Sequence, residues 1–327
     1  MGNARSRRFS FIRGYFSPAT WLAAAFFFGS ACSTGRMTPG SPDANASLGP
    51  VSLSSSQVVD GSLVVVKFRP PEGAWSPENF IGTFAGKEVK LFRDTSTKAG
   101  AEVQWGGLCV VPLDTAPGEY ELTIQLTEGG FFSSKKKWTV PVVVQPGGYA
   151  SESLQVDPKM VNPPAKAMAR IQRENRELGE VYRTISAEKL WKGNFLLPIA
   201  SAVTSPFGTK RTYNGETRGF HKGLDLKAGV GTPIRAPEAG TVVLAKSLYF
   251  TGKTVILDHG LGLMTLYAHL SKLRVKKGDR VTRDQLLGLA GKTGRVNGPH
   301  LHWGAVFASS GNHDSFNPSD LTRVFSE

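Results

Sequence analysis

The chain has 327 residues, enough for roughly two domains, and its 40% hydrophobic and 20% charged composition excludes a collagen-like or disordered polypeptide. A formal net charge of +13 calls for an anionic partner: nucleic acid, anionic lipid or an anionic cell-wall polymer. There is no Cys/His finger and no aromatic RNP-like strand, so nucleic acid is not expected as a partner. The two cysteines, Cys32 and Cys109, exclude a disulfide framework.

The N-terminus carries Arg5, Arg7, Arg8 and Arg13, followed by the apolar run "WLAAAFFFGSA", Trp21 to Ala31. The run is short for a bilayer span, and the small residues Gly29, Ser30 and Ala31 precede Cys32. This is the architecture of a secretory signal peptide over residues 1–31 and predicts export. "GSAC" followed by "STG" resembles a bacterial lipoprotein cleavage site, which implies a lipid on Cys32 and a membrane anchor. Gly29 stands where that pattern prefers Leu, so ordinary cleavage after Ala31 is the alternative. Residues 32–50, rich in Ser, Gly, Pro and Ala, read as a flexible tether.

From 51 to 147, the runs "LVVVKF", "KEVKLF", "LCVVPL", "YELTIQL" and "WTVPVVV" are strand candidates, separated by "PPEGAW", "DTAPGE" and "TEGGFF". Short strands at this spacing predict an accessory β-sandwich. It holds no histidine and no catalytic constellation, and Cys109 reads as a small buried core residue.

Residues 148–192 read as a helical connector. Asn162 can N-cap a helix with Pro163 at its first position. Met168, Ile171, Asn175, Leu178, Tyr182 and Ile185 recur at helical spacing and form one stripe. The stripe is short and Asn175 interrupts it, which suits packing on a neighbouring domain better than dimerisation. Gly179 weakens the helix by about 1 kcal/mol relative to Ala. Residues 193–327 alternate strand-like runs with Gly-rich turns, which predicts a second, mostly antiparallel β domain. Within it, "KKGDRVTRDQLLGLAG" resembles the hammerhead turn of lipoyl- and biotinyl-type β-folds.

The chemistry concentrates in this last segment. In "GPHLHW", His300 and His302 project to one face if the chain is extended. From the pair alone they either share a metal ion, divide ligation and chemistry between them, or are polar positions on a wet strand face. "GFHKGLDL" adds His221 and Asp225, whose four-residue offset puts both on one face in a strand or a helix. Two imidazoles and one carboxylate leave the fourth position of a tetrahedral zinc site open, the catalytic pattern. A structural site would fill all four positions, usually with cysteine.

"SPFGTKR", "FHKGLDL", "GTPIRAPEAGTVV", "DHGLGLMTLYAHLSKL", "KKGDRV" and "GKTGRVNGPHLHWG" occur in that order. Together they resemble the lysostaphin-like (LytM-type) zinc metallopeptidases of bacterial cell walls, across residues 193–327. Residues 51–192 are similar to the accessory β domain and connector of some members. The resemblance implies one Zn2+ per chain held by His221, Asp225 and His302, with His300 and His269 unligated beside the metal and acting on its water. No "HExxH" glutamate is present, so these histidines are the expected acid–base groups, facing the metal from opposite sides. Some members use a tyrosine before the first ligand as an oxyanion donor, a role that falls to Tyr213. Asn214 either contacts substrate or forms a turn with Gly215.

His259 and His313 read as a structural and a solvated histidine, and Asp258 and Asp279 as turn residues. The resulting expectation is a mainly β protein: an accessory sandwich, a connecting helix and a lysostaphin-like domain. It acts as a periplasmic endopeptidase on peptidoglycan stem-peptide crosslinks, as a monomer anchored at the outer membrane through Cys32. The alternative is a non-catalytic relative that binds the cell wall and activates amidases. Retention of all five site residues argues against it.

Overall fold

A computed structural model describes residues 47–93, 104–127 and 136–325. The expected signal peptide, Cys32 and nearly all of the tether lie outside the described residues.

The N-terminal part is two facing five-stranded sheets. The first runs Ser47–Leu48, Val51–Leu53, Leu63–Phe68, Trp105–Val110, Leu91–Arg93 in spatial order. The second runs Gln57–Val59, Lys137–Gln145, Gly118–Leu126, Phe80–Phe84, Lys87–Val89. Alternation along the strands decides what each face meets. Val64, Val66 and Phe68 point into the sandwich with Trp105, Cys109, Phe80, Leu122 and Val140. Leu63 and Val65 point the other way, together with Leu108 and Val110, into a second core shared with Trp191, Phe195, Phe207 and Phe307. Leu63 to Val66 is a continuous apolar run because both faces of its strand are covered, and the half-buried Lys67 is the one charged residue in that strand. The predicted strand "KEVKLF" is two strands: Lys87–Val89 joins one sheet and Leu91–Arg93 the other, so the chain changes layer at Lys90. Phe80–Phe84 is a strand the reading from sequence passed over.

The connector differs in its start. Asp157 caps a short helix Pro158–Val161, and the main helix spans Ala165–Arg183. Asn162 therefore closes the first helix instead of opening the second. A residue before proline is disfavoured in the α region, so Asn162 and Pro163 are both held out of the helix. Its buried seam also shifts. Ile171 and Glu174 are buried, while Met168 and Asn175 are exposed. Glu174 is accommodated because it accepts from the Tyr249 backbone N–H at 2.7 Å and from Arg170 at 2.6 Å. Leu178, Val181 and Tyr182 pack on Leu244, Leu248, Ile256 and Met264.

The C-terminal part is an eight-stranded sheet joined by antiparallel pairs. Its spatial order is Val203–Ser205, Leu224–Lys227, His300–Ser309, Leu263–Leu270, Gly252–Gly260, Gly240–Leu248, Arg280–Val281. Asn312–Phe316 also pairs with His300–Ser309, so His313, expected in a loop, is an exposed strand residue. A small sheet of Ser151–Leu154, Lys210–Tyr213 and Glu216–Phe220 flanks the end of this sheet that carries the histidines.

Candidate metal centre and active site

Strand register brings the first two groups together. Asp225 lies directly opposite His302 in the antiparallel pair of Leu224–Lys227 with His300–Ser309, close enough for their side chains to touch. His300 is two residues from His302 on the same strand, as the period of two requires. His221 arrives differently. It lies outside the strand that begins at Leu224, so its alignment with Asp225 does not come from an even offset along one strand. Instead its backbone is clamped: its N–H donates to Thr209 O at 2.8 Å, and its carbonyl accepts from Gly208 N at 2.8 Å.

Three donor atoms converge. His221 Nε2 is 3.0 Å from His302 Nδ1, His302 Nδ1 is 2.9 Å from Asp225 Oδ1, and His221 Nε2 is 3.0 Å from Asp225 Oδ1. Ligands of a tetrahedral zinc at about 2.0 Å stand roughly 3.3 Å apart, so this triangle has the size and donor chemistry of a zinc site. His221 Nδ1 donates to Pro206 O at 2.9 Å, which leaves the Nε2 lone pair for a metal. Burial pushes the Asp225 carboxyl up, but the His221 and His302 imidazoles packed against it outweigh that and hold the group well below the usual carboxylate range. Ligation needs that ionised form.

His269 and His300 are oriented alike. His269 Nδ1 donates to Thr293 O at 2.8 Å and His300 Nδ1 to Gly298 O at 3.0 Å. In each neutral ring this assigns the proton to Nδ1 and leaves Nε2 as an acceptor. His300 Nε2 stands 3.6 Å from Asp225 Oδ1. The His269 and His300 rings meet edge to face at 4.9 Å, so they adjoin each other and do not face the cluster from opposite sides. Burial, then the nearby His302 and His300, push the His269 pKa down to about 3. His269 also has a φ of +62°, a backbone state a non-glycine residue adopts at a cost and that recurs at functional sites.

A cavity of about 160 Å³ is lined by Asp225, His269, His300, Tyr213, Arg211 and Arg295, with Glu152 and Leu154 from the connector. Tyr213 is buried, with the Arg295 guanidinium 4.4 Å above its ring. Asn214 and Gly215 have φ of +50° and +86° and form the two-residue turn between Lys210–Tyr213 and Glu216–Phe220, the geometry that favours Asn-Gly. The Asn214 side chain does not line the cavity. It clasps the connector, with Val156 N donating to Oδ1 and Nδ2 donating to Val156 O, both at 2.9 Å. His259 does not line this cavity: Ala239 O and Thr265 Oγ1 occupy both of its ring nitrogens at 2.6 and 2.8 Å. Reading from sequence missed Arg211, Glu152 and Arg295. Alternation in "KRTY" puts Arg211 on the face of Tyr213 and was signal enough for the first of them.

Residues 219–318 match Peptidase family M23. The chain carries a peptidase M23 domain. Along this domain the chain is 47% identical over 102 residues to the peptidoglycan DD-endopeptidase ShyA of Vibrio cholerae, covering 31% of this chain and 24% of ShyA. It is 36% identical over 116 residues to the DD-carboxypeptidase/endopeptidase Mpg of Neisseria meningitidis, covering 35% of this chain and 27% of Mpg. The chain thus spans about a quarter of the length of these curated relatives. Likeness to a solved peptidase M23 from Pseudomonas aeruginosa extends further: 82% of this chain and 96% of that one, at 28% identity and a TM-score of 0.58. The protein is mainly β, with a lysostaphin-like β fold in its M23 region.

Proposed function

We propose that this protein is an exported zinc endopeptidase that hydrolyses peptide bonds of bacterial peptidoglycan, with stem-peptide crosslinks as its substrate. The observation that carries the reading is the convergence of His221 Nε2, Asp225 Oδ1 and His302 Nδ1 within 3.0 Å of one another, beside two histidines with free Nε2 acceptors. ShyA is named a peptidoglycan DD-endopeptidase and Mpg a DD-carboxypeptidase/endopeptidase, which supports the substrate class. His221, Asp225 and His302 would hold the zinc, which would supply Lewis acidity to the scissile carbonyl and the attacking water. His269 and His300 serve as acid–base and oxyanion helpers: the Nε2 of one of them accepts a proton from the attacking water and returns it to the leaving amine. Tyr213 is assigned to the oxyanion. Without the four arginines of residues 1–31 the net charge of +13 becomes +9 (13 − 4), which favours residence on anionic envelope polymers. Residues 1–31 serve export, and Cys32 is the proposed lipid attachment point in the periplasm. No observation favours the non-catalytic alternative.

Mass spectrometry of crosslinked muropeptide dimers tests the reading. Zinc-loaded full-length protein converts them to monomers, a chelator stops the reaction, and zinc restores it. His302→Ala loses zinc and activity together. His300→Ala keeps zinc and loses about 10²- to 10⁴-fold in rate, the usual worth of acid–base help. Zinc-loaded protein that leaves dimers intact, under conditions where a known endopeptidase cuts them, sinks the proposal. Equal loss of metal in both folded variants sinks the division of labour.

A further inference from the structure

The second oxygen of Asp225 has its own partner. Oδ1 faces His221 and His302, while Oδ2 accepts from Arg211 Nη2. Arg211 in turn is held from behind. Its Nη2 donates to Ser205 Oγ at 2.9 Å, its Nε donates to Glu152 Oε2 at 3.3 Å, and Ser205 Oγ donates to the same Glu152 oxygen at 2.9 Å. The set is largely enclosed: the Arg211 side chain is 13% exposed and that of Asp225 8%. Glu152 belongs to the connector strand Ser151–Leu154, outside the M23 match. That strand pairs in parallel with Lys210–Tyr213, with Glu152 opposite Arg211, and is fixed again two residues on by the Asn214 clasp on Val156.

We propose that Arg211 is a positioning residue for the metal ligand Asp225, and that Glu152 of the connector holds Arg211 in place. The inference rests on the proposed zinc site. With Oδ2 tied to the guanidinium, the carboxylate offers the metal a single oxygen at a set angle. Hydrogen-bonding partners of this kind fix ligand orientation. Arginine suits the task because its planar fork meets a carboxylate and two further acceptors at fixed angles, which a lysine ammonium cannot. The connector is then part of the metal site, and zinc affinity depends on Arg211 and Glu152, both of which precede the matched residues 219–318.

Competition with a chromophoric chelator, on the full chain, measures zinc affinity directly. Arg211→Met raises the zinc dissociation constant about 10- to 100-fold, the usual cost of removing such a partner. Arg211→Lys falls between Arg211→Met and wild type. Glu152→Gln weakens binding less than Arg211→Met and adds nothing in the Arg211→Met background, since it acts through the arginine. Cobalt(II) substitution gives a second readout: the visible bands of Arg211→Met shift as Asp225 turns, a change that a purely structural role does not produce. Melting of the metal-free variants checks their folding. Should Arg211→Met not fold, Arg211→Lys and Glu152→Gln carry the same test. Zinc binding as tight as wild type in the folded Arg211 variants overturns the inference, as does a Glu152→Gln effect undiminished without Arg211. If His302→Ala loses zinc and the Arg211 variants do not, this inference alone fails. If wild-type protein takes up no zinc, the metal site fails and the inference with it.

Discussion

Gly223 shows how little room the proposed ligand cluster leaves. A methyl group there would lie 2.7 Å from His302 Cε1, 2.8 Å from its Nε2 and 2.6 Å from Trp303 O. Both obstacles are rigid, one a backbone carbonyl and the other a ring already committed to the donor triangle. Gly223→Ala is therefore expected to displace His302, with an overpacking cost of about 1–3 kcal/mol. Zinc titration and thermal melting should both register it; unchanged zinc affinity would show that the ring has space to retreat. The same scale separates site histidines from core histidines. His259 spends both ring nitrogens on Ala239 and Thr265 inside the fold, whereas His269 and His300 spend only Nδ1. An imidazole with one nitrogen anchored and the other uncommitted is oriented yet still able to accept a proton.

Among the elements, the hairpin Lys210–Tyr213 to Glu216–Phe220 carries the most function for its length. Its inner strand presents Arg211 and Tyr213 to the cavity, its turn residue Asn214 holds the connector, and its exit leads directly into His221. Asn214 tolerates the left-handed backbone that alanine resists, and its side chain makes two hydrogen bonds that alanine cannot. Asn214→Ala should lower stability by about 2 kcal/mol and speed hydrogen exchange at the amides of 152–156. Asn214→Gly should speed the same exchange with a smaller loss of stability, because it keeps the backbone conformation and gives up only the clasp. Protection of 152–156 unchanged in both variants would show that strand pairing alone holds the connector. The helix Ala165–Arg183 illustrates what local reading can and cannot reach. Its existence follows from apolar spacing. Its start is set by Pro163 and Pro164 in succession, and its buried seam by a backbone N–H at Tyr249 that makes room for Glu174.

For the molecule as a whole, the sandwich is welded to the M23 region and not merely tethered to it. The sheet containing Leu63–Phe68 is covered on one side by its partner sheet and on the other by Trp191, Phe195 and Phe207. Polar bonds lock the contact: Leu63 N donates to Asp320 Oδ2 at 2.8 Å, Asn317 N to Gly61 O at 2.8 Å, and the Tyr149 hydroxyl to Asp60 O. One calorimetric unfolding transition is expected. Asp320→Ala, which strands a buried N–H at a cost of about 1–3 kcal/mol, should lower that transition as a unit. Two resolved transitions, with only one of them moving, would show that the parts unfold independently. The sequence by itself determined the β character of the chain, the residue types able to hold zinc, and the shared face of His300 and His302. All three follow from composition and from the period of two along a strand. Tertiary structure alone decided that Asp225 stands opposite His302, which nitrogen of each imidazole points inward, and that a connector glutamate reaches the proposed metal site through Arg211. The physical reason is that periodicity assigns a side chain to a face but is silent about which strand lies alongside. That choice is made by close packing and by hydrogen bonds between residues far apart in the chain.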